Sequence, residues 1–528
     1  MPQVHPILVD GKFRPSTGSD TFTVKNPANG ETFPDIFPIS NWTDIEAALV
    51  AAEKAFQAVV NWPGAKFAEF LEKYADRLDA HKDEICLLAH QETSFPVPTR
   101  LAGNEFPRTL NQIRLAAKSA REGSWRMATI DTKANIRSML VSLGPIVVMG
   151  PNNFPLAYNA ISGGDFASAV ATGNPVIAKA HPLHPRTSMR MAELAHEVAS
   201  ELGFPAGFIQ QIYHLPNELG IKLLSDRRIK AAAFTGSRNA GLKIKEACDT
   251  NGKPVYLEMS SVNPVYLLPG ALNERRAELI DEFSGSCLMG SGQFCTNPGV
   301  VILFENADTK PFIEGVVEKF KASAPVPMLS GDGRDGFHKS LRYLISEGAE
   351  LLCGGKVVDG SHSMHEPTLL KVTGKQFLAK PHKFQSEAFG ASSLFVVVKD
   401  AAELLAITAH IHGSLTASVY SAKSGADDEV YDQLSGLLTR TAGRFLNDKM
   451  PTGVAVSPAM NHGGPFPATG HPHFTAVGIP GSLRRFGMLV SYDNVRPERL
   501  PAELKDKNPG GVWRYVDYVW TTDDAGSA

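Results

Sequence analysis

The residues with most chemistry to offer fall in four short stretches. In GSGQFCTNPG (290–299) Cys295 is set among glycines, a glutamine, a threonine and a proline, although free cysteine ordinarily behaves as a small buried hydrophobe. A thiol in such company is reachable. Its thiolate, only a few per cent of the population at pH 7, is intrinsically very nucleophilic. In LEMSSVNP (257–264) Glu258 stands inside a hydrophobic strand pattern, where an unpaired carboxylate is costly and its pKa tends to rise. PNNFP (151–155), with Asn153, follows the apolar run PIVVMG (145–150), the position beyond a strand end where open α/β sheets bind ligands. FTGSRNAG (234–241) is a strand end followed by Gly236, Ser237 and Gly241 around a helix start. Such a turn presents backbone N–H groups and the positive helix end to a phosphate.

Taken singly, each stretch also has a plain reading. Cys295 could be a loop cysteine without a role, and Asn153 could form an Asx turn before Pro155. Glu258 could be a structural carboxylate paired with a lysine, Gly236 and Gly241 turn or packing glycines, and Glu387 a solvated glutamate. Only their joint occurrence discriminates.

The elements that must position these residues alternate. VIAKA (176–180), FIQQIYH (208–214) and KAAAF (230–234) read as strands. A helix over 187–202 places Ala195, Val198, Ala199 and Leu202 on one face, and a second helix lies near 217–225. Apolar strands alternating with helices predict an α/β fold built on a parallel sheet covered on both faces. A second alternating region over about 271–450 has helices near 273–289 and 310–322 and strands at 300–304 and 393–399. The Pro/Gly-rich segment 451–482 and the tail after 496 stand outside both regions. The strand-like runs 139–143 and 513–520 are expected to pair at a subunit edge.

The 528 residues exceed one ordinary core, so two or three domains are expected. A net charge of −3 with mixed signs gives no basic field for nucleic acid and no polybasic membrane patch. No apolar run approaches a membrane span, and the opening residues do not read as a secretory signal. Five cysteines without CxxC spacing suit a reducing cytosol, hence a cytoplasmic protein. The G-x-G-x-x-G match at Gly331, Gly333 and Gly336 follows no strand and no clear helix opens on its last glycine, so it is rejected as a dinucleotide fingerprint. The pairs His181/His184, His410/His412 and His471/His473 lack clustered carboxylates, and no metal site is expected.

Together the family motifs P-x-N-F-P, F-T-G-S-x-x-x-G, E-L-G-G-x-N-P (here with Met259-Ser260-Ser261 for L-G-G), G-Q-x-C and E-x-F-G (387–390), in that order, make the chain resemble the aldehyde dehydrogenase superfamily. HGGPFPAT (462–469), NPGGVWR (508–514) and the extended Cys295 loop resemble its NADP-preferring branch, which includes α-ketoglutaric semialdehyde dehydrogenase. The resemblance implies that Cys295 attacks an aldehyde and that Asn153 and the Cys295 N–H hold the oxyanion. Hydride leaves to a nicotinamide, and Glu258 activates water on the resulting thioester.

It further implies that Lys179 binds the adenosine ribose, within a cofactor-facing segment that includes His181, and that Glu387 and Phe389 hold the nicotinamide end. Pro182 stands where NAD-preferring relatives usually carry a glutamate, so NADP is expected over NAD, with Lys179 and Arg186 as countercharges. The family's E-L-G-G reads Glu258-Met259-Ser260-Ser261 here, which removes two permissive glycines. For a small carboxylated aldehyde, Arg108, Arg484 and Arg485 are the candidate cations. Alternatives are an aliphatic or aromatic aldehyde, a CoA-acylating enzyme, and a non-catalytic homologue. The family plan implies a Rossmann-type cofactor domain (1–123 and 143–270), an α/β catalytic domain (271–480) and a small β element with the tail (124–142 and 481–528) forming a homodimer or homotetramer.

Overall fold

The computed structural model describes residues 4–473 and 475–526. Its first sheet holds five parallel strands, in the spatial order Val255–Glu258, Ala231–Thr235, Ile146–Met149, Val176–Lys179 and Ile209–Ile212. Ile7–Val9 and Lys12–Arg14 extend it antiparallel beyond the last of these. The strands are short and largely buried, mostly apolar apart from Gln210 and Gln211 in Ile209–Ile212, as suits a sheet covered on both faces. Helix Pro185–Glu201 buries Ala195, Val198 and Ala199 as the periodicity predicts. Gly64–Ala80, Phe106–Glu122 and Gly164–Ala171 pack together on one side. The winding reverses between Ile146–Met149 and Ala231–Thr235, so the loops after these strands flank the crevice where ligands bind in such sheets.

A second sheet runs Glu350–Cys353, Thr368–Thr373, Ser392–Val398, Val300–Phe304, Val265–Leu267, Ser414–Tyr420 and Ala442–Asn447, parallel except for its first strand. Val265–Leu267 pairs here, so the division between sheets falls just after Glu258 and not at residue 270. The loop 259–264 crosses from one sheet to the other.

The third sheet corrects the pairing expected between 139–143 and 513–520. Ile136–Ser142 pairs antiparallel with Gly487–Asp493, and Thr129–Asp131 separates it from Arg514–Val516 and Val519–Thr521. Gly487–Asp493 escaped notice because its burial does not alternate cleanly. It forms one edge of the sheet, with Leu489 65% exposed. A helix, Gly331–Ser346, opens on the first glycine of the G-x-G-x-x-G match, capped by Ser330, and not on the last. No strand precedes it, so the dinucleotide fingerprint remains absent.

One glycine ties the nucleophile loop to the second sheet. Gly292 has φ +67°, and a Cβ there would lie 2.3 Å from the Gly390 carbonyl oxygen. Only glycine accepts both the left-handed backbone and that approach, so the Cys295 loop and the E-x-F-G segment lie against each other.

Candidate active site

Each loop that carries a candidate residue is held by buried polar contacts. After Ile146–Met149 the chain turns at Gly150, where a Cβ would meet the Tyr158 carbonyl oxygen at 2.3 Å. His184 Nε2 bonds the Pro151 carbonyl at 2.9 Å. Glu105 Oε1 accepts from the Leu156 and Ala157 N–H groups at 2.8 and 2.9 Å. Its other oxygen pairs with Arg100 at 2.6 Å, and Arg100 Nη2 donates to the Asn153 carbonyl at 3.1 Å. The Arg100 guanidinium also lies over Phe154 and Phe294, 4.4 and 5.2 Å from the ring centres. One buried arginine, carried on the π-helix Val97–Glu105, thereby clamps the Asn153 loop to the Cys295 loop. Breaking a buried pair of this kind from one side costs about 3–5 kcal/mol.

The nucleophile turn is fixed from below. Asn263 Nδ2 donates to the carbonyls of Cys295 and Asn297 at 2.8 and 2.9 Å. Its Oδ1 accepts from Ser261 Oγ and Thr416 Oγ1. Ser261 in turn accepts the Leu415 N–H and gives its own N–H to Glu387 Oε1 at 3.2 Å. Ser260 and Ser261 have no left-handed backbone, so replacing the family's two glycines strains nothing.

A cavity of about 670 Å³ opens at the switch point, within the range of cofactor sites. Asn153, Glu258 and Cys295 line one end together with Glu387 and Phe389. Lys179, His181, Pro182, Gly236 and Ser237 line the rest. Ser237 caps helix Arg238–Thr250, so the positive end of that helix faces the cavity. These residues fit a dinucleotide. Gly241 does not line the wall; it is buried under Met259, whose Sδ would lie 2.8 Å from an added Cβ, and is a packing glycine. Arg186 is also misassigned as a countercharge, because it engages Gln91 at 2.9 Å and Asp35 at 3.2 Å away from the cavity. Lys243 lines the wall instead.

At the catalytic end the structure adds a group to which the sequence reading gave no role, His462 at the head of HGGPFPAT (462–469). Residues 468–470 pair with the end of strand Val255–Glu258, which carries the buried His462 to the site. His462 Nε2 lies 3.0 Å from Glu258 Oε1 and 3.5 Å from Cys295 Sγ. The three reactive atoms lie within 4.8 Å of one another. Asn153 Nδ2 donates to the Gln293 carbonyl at 3.0 Å, so the amide is anchored beside the nucleophile turn.

Burial and the facing Glu258 carboxylate push the Cys295 thiol well above its ordinary value, so the resting group is a thiol. Burial also raises Glu258, but the charge and hydrogen bond of His462, the Cys295 thiol and Arg108 outweigh it, and the carboxyl sits below its usual value. This corrects the expectation of a raised base and has a clear cause in the His462 contact. Burial lifts Glu387 to about 7 against hydrogen bonds from Ser260 and Ser261.

The chain is similar over most of its length to known proteins. Residues 13–464 match the aldehyde dehydrogenase family. The chain belongs to that family. It is 36% identical to α-ketoglutaric semialdehyde dehydrogenase 2 of Azospirillum brasilense over 94% of this chain and 96% of that protein. It is 33% identical to an α-ketoglutaric semialdehyde dehydrogenase of Acinetobacter baylyi, over 92% and 93%. Among solved structures it superposes on PnpE with bound nicotinamide adenine dinucleotide (TM-score 0.80, 21% identity, 94% of this chain and 99% of that one). A Thermus 1-pyrroline-5-carboxylate dehydrogenase with bound NAD also matches (TM-score 0.78, 24% identity, 93% and 92%). As an aldehyde dehydrogenase, the chain is an NAD(P)-dependent oxidoreductase.

Of the three candidate substrate arginines, Arg108 is near the reaction centre. Its Nη2 donates to the Tyr158 hydroxyl at 2.8 Å, and its charge bears on both Glu258 and Cys295. Arg484 is exposed, and Arg485 is buried in an ion pair with Asp165 at 2.6 Å. Arg444, missed in the sequence, is close enough for Cys295, Tyr158 and Arg108 to bear on its charge. Nothing around GRF (443–445) marks it, whereas His462 stood in a quoted motif and a buried histidine there was a readable signal.

The His462 contact yields a pH prediction. In His462→Leu the forces that lower Glu258 shrink while burial stays, so its carboxyl rises. The base form is then lost at higher pH as acid is added, and the acid limb of kcat moves toward neutrality. An acid limb unmoved in a folded variant contradicts this role.

Proposed function

We propose that the protein oxidises a small aldehyde bearing a distal carboxylate, such as α-ketoglutaric semialdehyde, to the dicarboxylate with NADP. The observation that carries the substrate reading is the pair Arg108 and Arg444. Both bear electrostatically on Cys295, neither lines the dinucleotide cavity, and the Nε of each is buried with no partner. Arg444 is held by the Gly453 and Pro451 carbonyls, so its charge is fixed in place. Two such cations beside the nucleophile suit a carboxylate at the far end of a short substrate. The names of the two relatives agree with this reading.

The mechanism follows from the groups at hand. Glu258 takes the thiol proton as Cys295 Sγ bonds to the aldehyde carbon. The oxyanion is held by the Asn153 amide and the Cys295 N–H, a donor of this kind being worth about 3–4 kcal/mol. A dinucleotide held along the cavity by Lys179, Ser237, Glu387 and Phe389 would supply the hydride acceptor that turns the thiohemiacetal on Cys295 into a thioester. Glu258, ionised again, takes a proton from water as that water attacks, and the carbon–sulfur bond breaks. His462 keeps the carboxylate ionised and aimed.

Preference for NADP is supported at the other end of the cavity. The only carboxylates lining it among the described residues are Glu258 and Glu387, both at the catalytic end, so none opposes a 2′-phosphate beside Lys179 and Pro182. The exposed edge Gly487–Asp493 is the surface that would pair between subunits of a homodimer or homotetramer. No described helix is long and apolar enough to cross a membrane, and the five unpaired cysteines accord with a cytoplasmic setting.

A panel of carboxylated and aliphatic aldehydes, with and without CoA, tests the reading. Carboxylated semialdehydes should give the highest kcat/KM, with free acid as product. Arg108→Met or Arg444→Met should raise KM for them about ten- to a hundredfold, the worth of a charged hydrogen bond, and leave uncharged aldehydes nearly unaffected. Aliphatic aldehydes winning tenfold, or product forming only with CoA, contradicts it.

Lys179 supplies a second test. Burial lowers its amine to about 8, so the free enzyme loses this cation as pH rises through that value. KM for NADP should therefore climb above pH 8 more steeply than KM for NAD. Parallel slopes, or a higher kcat/KM with NAD, contradict the assignment.

A further inference from the structure

Glu258 stands in a wall between two cavities. On one side is the large cavity with Cys295. On the other is a small one of about 30 Å³, room for at least one water molecule. Glu258, Phe234 and Thr235 line both, while Asp165, Ala476, Arg485 and His471 belong to the small one alone. Charged and polar side chains line the small cavity beside apolar ones. Arg485, 3% exposed, is paired with Asp165, covered by the Tyr256 and Phe486 rings, and donates from Nε to the Ser482 carbonyl. Its Nη2 has no partner, and neither has Glu258 Oε2, while Glu258 Oε1 is taken by His462. Buried polar atoms beside a cavity of this size are ordinarily satisfied by water.

We propose that this back cavity is the proton exit of Glu258, with the Asp165–Arg485 pair as its polar wall. The inference rests on the hydrolytic reading above, in which Glu258 accepts two protons per turnover. The first comes from the Cys295 thiol and must leave before the carboxylate can act again. The second comes from the water that attacks the thioester. Between these events the acyl group and the dinucleotide fill the large cavity, so the polar space open to Glu258 is the small one. The proton passes from Oε2 to water there and outward past the half-buried His471. The Asp165 carboxylate favours the positive charge in transit, and Arg485 holds that carboxylate in place. Asp165 and Arg485 are positioning residues, since neither touches the reacting atoms.

Two variants test the exit by different routes. Ala476→Leu fills the cavity and removes no charge, and Asp165→Asn removes the negative wall. Rapid-mixing measurement of NAD(P)H is combined with mass spectrometry of the Cys295 peptide. The expected result is a first-turnover burst at the parent's rate, a steady rate lowered about tenfold or more, and acyl adduct accumulating on Cys295. A steady rate within twofold of the parent in folded Ala476→Leu overturns the exit, as does a burst that slows in parallel. If the parent itself forms no NAD(P)H from any aldehyde, the functional reading beneath the exit is what fails.

Discussion

The site depends on a carboxylate kept charged where no solvent reaches it freely. Glu258 is 6% exposed, and burial alone would make it a poor base by leaving it protonated. The 3.0 Å contact with His462 reverses that balance. The same two groups surround the Cys295 sulfur, so the thiol stays protonated at rest and gives up its proton to a neighbour already in place. In the proposed mechanism both half-reactions run through this one buried charge.

Three separate parts of the chain must agree for that contact to exist. Strand Val255–Glu258 ends the first sheet, and the next strand, Val265–Leu267, opens the second. The crossing loop between them carries Asn263, which sets the nucleophile turn. The coil 451–482 returns to pair with the end of the first strand and brings His462 with it. Arg100 closes the arrangement from the helical side, since its guanidinium contacts the loops of both Asn153 and Cys295. Displacing any one part moves the others, which accounts for a reactive centre assembled from loops yet fixed by buried polar bonds.

What could be read from the sequence follows the range of the forces involved. The parallel strands were legible because burial on both faces leaves continuous apolar runs, and Cys295 and Glu258 because each carries its chemistry in its immediate neighbours. His462 acts on Glu258 and Cys295, 204 and 167 residues away, Arg100 on Asn153, 53 residues away, and Arg444 through space; of the three only His462 stood in a motif, and nothing local named its partners. The same holds for Gly487–Asp493, which is a strand only because Ile136–Ser142 offers it a partner. Arg186 and Gly241 show the reverse failure. Position near a motif suggested ligand contact, while tertiary packing had already engaged them.

The central claim is that Cys295 carries the acyl group and Glu258 is needed only to remove protons around it. Its most direct measurement is the mass of the intact Glu258→Gln variant after mixing with aldehyde and NADP. The account predicts an acyl adduct on the peptide containing Cys295, formed more slowly than in the parent because the thiol has lost its proton acceptor, with no more than one NADPH per subunit, and persisting because hydrolysis has lost the same base. Continued turnover without an adduct, or an adduct on another residue, would contradict it.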